Sequence, residues 1–209
     1  MAATDARRSC RAWLRSLLCC VLAAPALVSA QAAGLASGVY EGLMLAVAPD
    51  GHLSGFYREE QGEGVVKRCT FYLVGQSVDG QAQIQTWSDQ GLPGRLTSQG
   101  ASVTLTIPRG REHAGCGLVL MPEVATGLRL DRVATAQWSE LRSIATERAD
   151  LFKDAGGATR LRAYLVKGDV VGVVAEQVDW VKIEYVSGTH RTRGWIRAVD
   201  CSKLVPPGR

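Results

Sequence analysis

Histidine is scarce, cysteines are wrongly spaced for metal and basic runs are missing, and each shortage removes a class of function. The three histidines, His52, His113 and His190, are scattered, and neither His-x-x-x-His nor Cys-x-x-Cys occurs, so no metal site is expected. Glu59, Glu60 and Glu63 with Arg58 form an acidic stretch that matches no calcium-loop spacing and reads as a solvated hairpin tip. No Gly-x-x-x-x-Gly-Lys, Gly-x-Gly-x-x-Gly or Gly-x-Ser-x-Gly element is present, which removes phosphate-cradling loops and nucleophile elbows. Without a Lys/Arg-rich run or a basic stretch with interleaved aromatics, nucleic acid is not an expected partner. The expectation is therefore no catalytic residue, no metal and no cofactor.

What is present is the composition of a folded β protein. Hydrophobic residues make up 46% and charged residues 21%, far from the signature of disorder. Glycine (23) outnumbers proline (7), and the apolar runs are short, which favours strands joined by tight turns over long helices.

The first 30 residues read differently. Arg7, Arg8, Arg11 and Arg15 form a basic segment, Leu17 to Leu27 is an apolar stretch, and Val28-Ser29-Ala30 supplies small residues for signal-peptidase cleavage after Ala30. The apolar stretch is too short for a retained span, so no membrane span is expected after cleavage. Removal of residues 1–30 takes away four Arg and one Asp, leaving 20 basic and 19 acidic side chains, nearly neutral. A secreted, periplasmic destination follows, and with it an oxidising compartment.

Three cysteines survive cleavage: Cys69, Cys116 and Cys201. Three pairings are possible, and Cys69–Cys116 is expected because both lie in strand-like runs of the first half. Cys201 then remains a lone thiol.

Residues 31–134 are a succession of short alternating segments. Val103, Leu105 and Ile107 oppose Ser102, Thr104 and Thr106, and Gln81 to Trp87 alternates likewise. Turn signals at Asp50-Gly51, Asp79-Gly80, Gln99-Gly100 and Gly115 separate the runs. Eight strands are expected: Val39 to Val47, His52 to Arg58, Val65 to Val74, Gln81 to Trp87, Gly94 to Ser98, Ser102 to Ile107, Cys116 to Met121 and Leu128 to Val133. A meander closing into a barrel or sandwich would remove their exposed edges. In residues 135–148, Trp138, Leu141, Ile144 and Ala145 recur at three- and four-residue spacing, which predicts a short connecting helix. Residues 149–209 return to strands at Leu151 to Lys153, Arg160 to Val166, Val170 to Glu176, Trp180 to Val186 and Thr192 to Ile196.

Three motifs in this last part stand in order: Ala163-Tyr164-Leu165-Val166-Lys167-Gly168-Asp169, then Asp179-Trp180-Val181, then Gly194-Trp195-Ile196. Together they resemble the bacterial SH3 domain over about 60 residues. Ala149-Asp150-Leu151-Phe152-Lys153 departs from the Asn-Val-Arg start common in wall-targeting members. The resemblance implies an all-β protein with a small SH3-like barrel at its C-terminal end. It also implies a ligand groove for peptide, protein or peptidoglycan edged by Trp180, Trp195, Tyr164 and Tyr185. In so small a barrel, either tryptophan can instead fill the core. His190, Arg191 and Arg193 form a basic hairpin tip, read as solvated.

Two further motifs fail on inspection. Asp200-Cys201-Ser202 is similar to the nucleophile triplet of wall-cleaving cysteine peptidases, but Lys203 replaces the following glycine, so a nucleophilic role for Cys201 is not expected. His113-Ala114-Gly115-Cys116 has one residue too many for the nucleophile motif of L,D-transpeptidases. Ser37-Gly38-Val39-Tyr40 is similar to the signature of periplasmic lysozyme inhibitors, which are small disulfide-bearing barrels. The expected function is that of a secreted, non-enzymatic envelope binding protein, with an inhibitor or immunity protein against a cell-wall hydrolase as the alternative.

Overall fold

The computed structural model describes residues 34–208, so the expected signal segment lies outside the described residues. Within them every regular element is a strand or a single 3-10 turn. Eight antiparallel strands close into a barrel: β1 (Gly38–Tyr40), β2 (Leu43–Val47), β3 (His52–Gln61), β4 (Lys67–Val78), β5 (Gln81–Trp87), β6 (Gly91–Gln99), β7 (Ser102–Thr106) and β8 (Leu128–Thr135). Each pairs with its sequence neighbour, and Gly38 opposite Thr135 shuts the ring, so no edge of this sheet is left unpaired. Alternation puts Leu43 and Leu45, Phe71 and Leu73, and Leu96 and Leu105 inside. At the β4–β5 hairpin, Asp79 (φ 49°) and Gly80 (φ 76°) both take left-handed backbone, the geometry that suits tightly twisted hairpins.

The strand count matches expectation, but the membership does not. The run Val39 to Val47 breaks into β1 and β2 at Gly42, whose positive φ (71°) and bare face admit the Tyr57 ring. The run Cys116 to Met121 is not a strand. It forms a 3-10 turn at Cys116–Leu118, and Cys116, Val119, Leu120 and Val124 are buried in the barrel core. Their spacing of three, four and eight is helical, so an apolar run there need not extend. Cys116 is disulfide-bonded to Cys69 on β4, 47 residues away. In the chain-entropy account, closing that loop stabilises the barrel by roughly 4 kcal/mol.

The remaining strands form a second sheet: β9 (Glu140–Ile144), β10 (Arg148–Phe152), β11 (Arg160–Val166), β12 (Val170–Gln177), β13 (Trp180–Ser187), β14 (His190–Arg197) and β15 (Cys201–Lys203). Their spatial order is β11-β10-β14-β13-β12-β9-β15, curling around Leu151, Leu165, Val171, Val181, Ile183 and Ile196. The expected helix at 135–148 is absent. Leu141 packs toward the barrel with Ala46 and Trp138, whereas Ile144 points into the core of the second sheet. A strand covered on both faces shows no alternation, and its buried residues three apart imitate a helix.

Trp138 sits where the two sheets meet. Its indole lies against Gly172, where any β-carbon would overlap the ring, and its carbonyl accepts the Ser37 hydroxyl at 2.8 Å. Ser37 also accepts the Val47 N–H at 2.8 Å, and Ser54 on β3 accepts the Leu141 N–H at 2.7 Å. These bonds and the shared apolar cluster of Ala46, Trp138, Leu141 and Val170 join barrel to sheet. Trp138→Ala empties that contact, and the expected loss of roughly 3–5 kcal/mol will show as a lower urea midpoint.

Candidate functional site

Along β13, Val181 and Ile183 face the core, so Trp180, Lys182 and Glu184 face the other way. On β14, Ile196 and buried Gly194 face inward, so Trp195, Arg193 and Arg191 share that outer face. The ladder sets Trp195 opposite Lys182 and opposite Phe152 of β10, and sets Arg193 opposite Glu184. Phe152 meets Trp180 edge to face, with ring centroids 5.2 Å apart. Gly157 (φ 73°) admits the Trp180 ring, since a β-carbon there would stand 2.8 Å from it.

The expected groove residues therefore divide. Trp180 and Trp195 share one face, both half-buried, and Phe152 joins them. Tyr164 is on the same face but at the edge strand, 50% exposed, with the Arg148 guanidinium 4.0 Å over its ring. Tyr185 belongs to the opposite face: it packs against the inner core, and its hydroxyl donates to Asp169 at 3.4 Å. Burial, reinforced by the Asp169 charge, raises its phenol above the ordinary value.

Glu184 was not expected to matter, yet it organises the face. Its side chain is 2% exposed and accepts from Trp138 Nε1 at 2.8 Å, Arg193 Nε at 2.8 Å and Arg191 Nη1 at 3.1 Å. Burial alone would raise its carboxyl, but these donors outweigh burial and hold it below the usual carboxylate range. The basic hairpin tip is thereby corrected in part: Arg191 is half-buried against Glu184, whereas His190 and Arg193 stay exposed, Arg193 while paired with the same carboxylate.

Beside this face a cleft of about 650 Å³ opens, lined by Thr135 at the end of β8, by Ala136 and Gln137 of the connector, and by Val174, Lys182, Ile183, Glu184 and Arg193 of the sheet. A partial signal for it is present in the sequence. Lys182 and Arg193 flank the motif tryptophans at two-residue spacing, which puts them on the tryptophans' face, but the connector wall is visible only in three dimensions.

The motifs set aside on sequence are occupied structurally. Cys201 is half-buried, and burial pushes its thiol up despite the Arg142 guanidinium beside it. The nearest histidine in sequence, His190, ends the exposed β13–β14 hairpin. His113 is buried in the barrel, stacked on Phe71, with Nε2 2.9 Å from the Thr86 hydroxyl and Nδ1 3.3 Å from the Ser88 hydroxyl. Thr86 is itself fully buried and donates to the Leu92 carbonyl, so this cluster presents no reachable nucleophile. In the acidic tip, Glu60 holds Arg58 and Arg68, and Glu59 accepts the Tyr57 hydroxyl. No helix among the described residues is long and apolar enough to cross a membrane.

Comparison of the chain with protein-family models, with curated proteins and with solved structures returns no match. The reading of the site therefore rests on its own geometry.

Burial, partly offset by the Asp89 charge, lowers the His113 imidazole below its ordinary value of 6.5. Between the lowered and ordinary values the unfolded chain binds more protons, so stability is full above 6.5 and falls as pH drops toward the folded value. Thermal midpoints will decline across that window, before the carboxylates near ~4 titrate, and His113→Gln will flatten the decline.

Proposed function

We propose that this is a secreted, non-enzymatic protein of a bacterial envelope that binds cell-wall material through the outer face of β10, β13 and β14. The observation that carries the reading is the row of Phe152, Trp180 and Trp195 on one sheet face, half-buried yet open to solvent, beside a cleft large enough for a sugar or peptide unit. The resemblance of residues 149–204 to bacterial SH3 domains supports it, because the motif tryptophans are the ones on this face. Phe152, in the segment that departs from the wall-targeting start, adds a third aromatic to the row. Aromatic faces stack on sugar rings and flat peptide groups, and rings fixed by neighbours lose little freedom on binding. The buried or tied state of Cys201 and His113 agrees with a role in binding.

Purified protein mixed with peptidoglycan sacculi is expected to sediment with them. Trp180→Ala combined with Trp195→Ala should weaken sedimentation about tenfold or more, the equivalent of one lost contact of ~1.4 kcal/mol, while far-ultraviolet circular dichroism stays that of the wild type. No sedimentation of the wild type would remove cell-wall material as the ligand.

A second reading, an inhibitor of a cell-wall hydrolase, draws on the far end of the barrel. Val65 and Val66 at the β3–β4 tip are 83% and 51% exposed, and Gln61, bonded to the Val119 carbonyl, brings this hairpin to a segment where Leu118 and Met121 are also exposed. Exposed apolar tips of this kind suit insertion into an enzyme cleft. Ser37, by contrast, is tied into the Trp138 junction and presents no loop. Muramidases and amidases that keep full activity at micromolar protein would end this reading.

A further inference from the structure

We infer that the cleft beside the aromatic face is a carboxylate-receiving subsite, with Lys182 and Arg193 as the receiving groups, so that the ligand pairs a flat ring or peptide surface with a nearby acidic group. The inference rests on the wall-binding reading above and names the part of the polymer the site would grip.

Four charged side chains meet here: Lys182, Arg191, Arg193 and Glu184. Among the described residues Glu184 is the only carboxylate that lines the cleft, and it is buried with three donors already on its oxygens, so little of its charge faces an incoming anion. Two positive charges are left in surplus. The larger cleft on the other side of the junction, about 770 Å³, is lined by Asp50, Glu140 and Glu176 with Lys203, and Arg142 and Lys203 hold its two glutamates, so it has no surplus of cations to offer the same ligand.

The two receiving cations differ in a useful way. Lys182 is exposed, forms no ion pair among the described residues, and holds its ammonium 6.0 Å over the Trp195 ring. A group stacked on Trp195 would therefore bring its substituents to the ammonium. Arg193 is already oriented: Nε and Nη2 both reach Glu184 Oε1 at 2.8 Å, which leaves Nη1 directed away from that bond while the guanidinium plane is fixed. A guanidinium held in place by a buried carboxylate has little rotamer freedom left to lose, so its remaining N–H groups bind an anion more cheaply than a free arginine would. Thr135 at the end of β8 and Gln137 on the connector add neutral hydrogen-bonding groups to the opposite wall. A lone surface lysine would carry no such reading. Here a second, fixed cation, a cleft and an adjacent aromatic ring coincide.

The test compares native peptidoglycan sacculi with sacculi whose carboxyl groups have been converted to amides by carbodiimide and ammonia. Wild-type protein should bind native sacculi at least tenfold better than amidated ones, with affinity falling as salt is raised. Lys182→Gln, at an exposed position outside the buried core, should erase most of that difference, and Lys182→Arg should restore it. Equal binding to native and amidated sacculi, or a Lys182→Gln protein indistinguishable from wild type, overturns the carboxylate subsite while leaving wall binding in place. Failure of the wild type to bind native sacculi overturns the wall-binding reading, and this subsite falls with it.

Discussion

The indole of Trp138 lies against a glycine of one sheet, shares an apolar cluster with the other, and gives its N–H to a carboxylate held by two arginines. Most of what is particular to this molecule follows from that arrangement. Gly172 has to lack a side chain for the ring to fit, and Ser37 and Ser54 must supply hydrogen bonds where barrel and sheet backbones meet. The contact also fixes the end of β8 and the connector residues Ala136 and Gln137 as a wall and not a tether. A flexible linker there would leave no cleft.

Burying Glu184 is costly on its own, since an ionised carboxylate at 2% exposure loses most of its hydration. Three donors offset that loss, and one of them is the junction indole itself. The same network that stabilises the junction therefore orients Arg193 toward solvent, so the shape of the candidate binding surface and the attachment of the two sheets are coupled. Arg142 repeats the pattern on the other side of β9: it is 8% exposed and held by Glu140 and Glu176. Each face of the junction thus carries one buried ion held by more exposed partners, but only the Glu184 side leaves cations facing open solvent beside aromatic rings.

The barrel has a different logic. Closure of β8 on β1 leaves no strand edge, and the disulfide joins β4 to the 3-10 segment that plugs one end. Its buried polar groups, His113 and Thr86 among them, are satisfied internally and offer no chemistry to solvent. What it does offer is a rigid body against which the second sheet is set, and an exposed apolar hairpin tip at its far end.

Alternation by itself determined that the described residues are β-rich, with seven of the eight expected runs in the first part and all five in the later part forming strands, because a half-buried strand writes its pattern locally. The Cys69–Cys116 pair was legible too, although Cys116 stands in a 3-10 turn and not in the expected strand, and the motifs singled out Trp180 and Trp195 without deciding between a groove and the core. Local pattern failed wherever burial came from two directions or from an end. Leu141 and Ile144 imitate a helix because β9 is covered on both sides, Cys116 to Leu120 imitate a strand because they plug the barrel, and Tyr185 resembles a groove residue until the register turns it inward. Glu184, and with it the cleft and the fixed Arg193, was decided only by tertiary structure: its partners Trp138, Arg191 and Arg193 lie up to 46 residues away, and no spacing rule connects groups that meet only when two sheets are packed together.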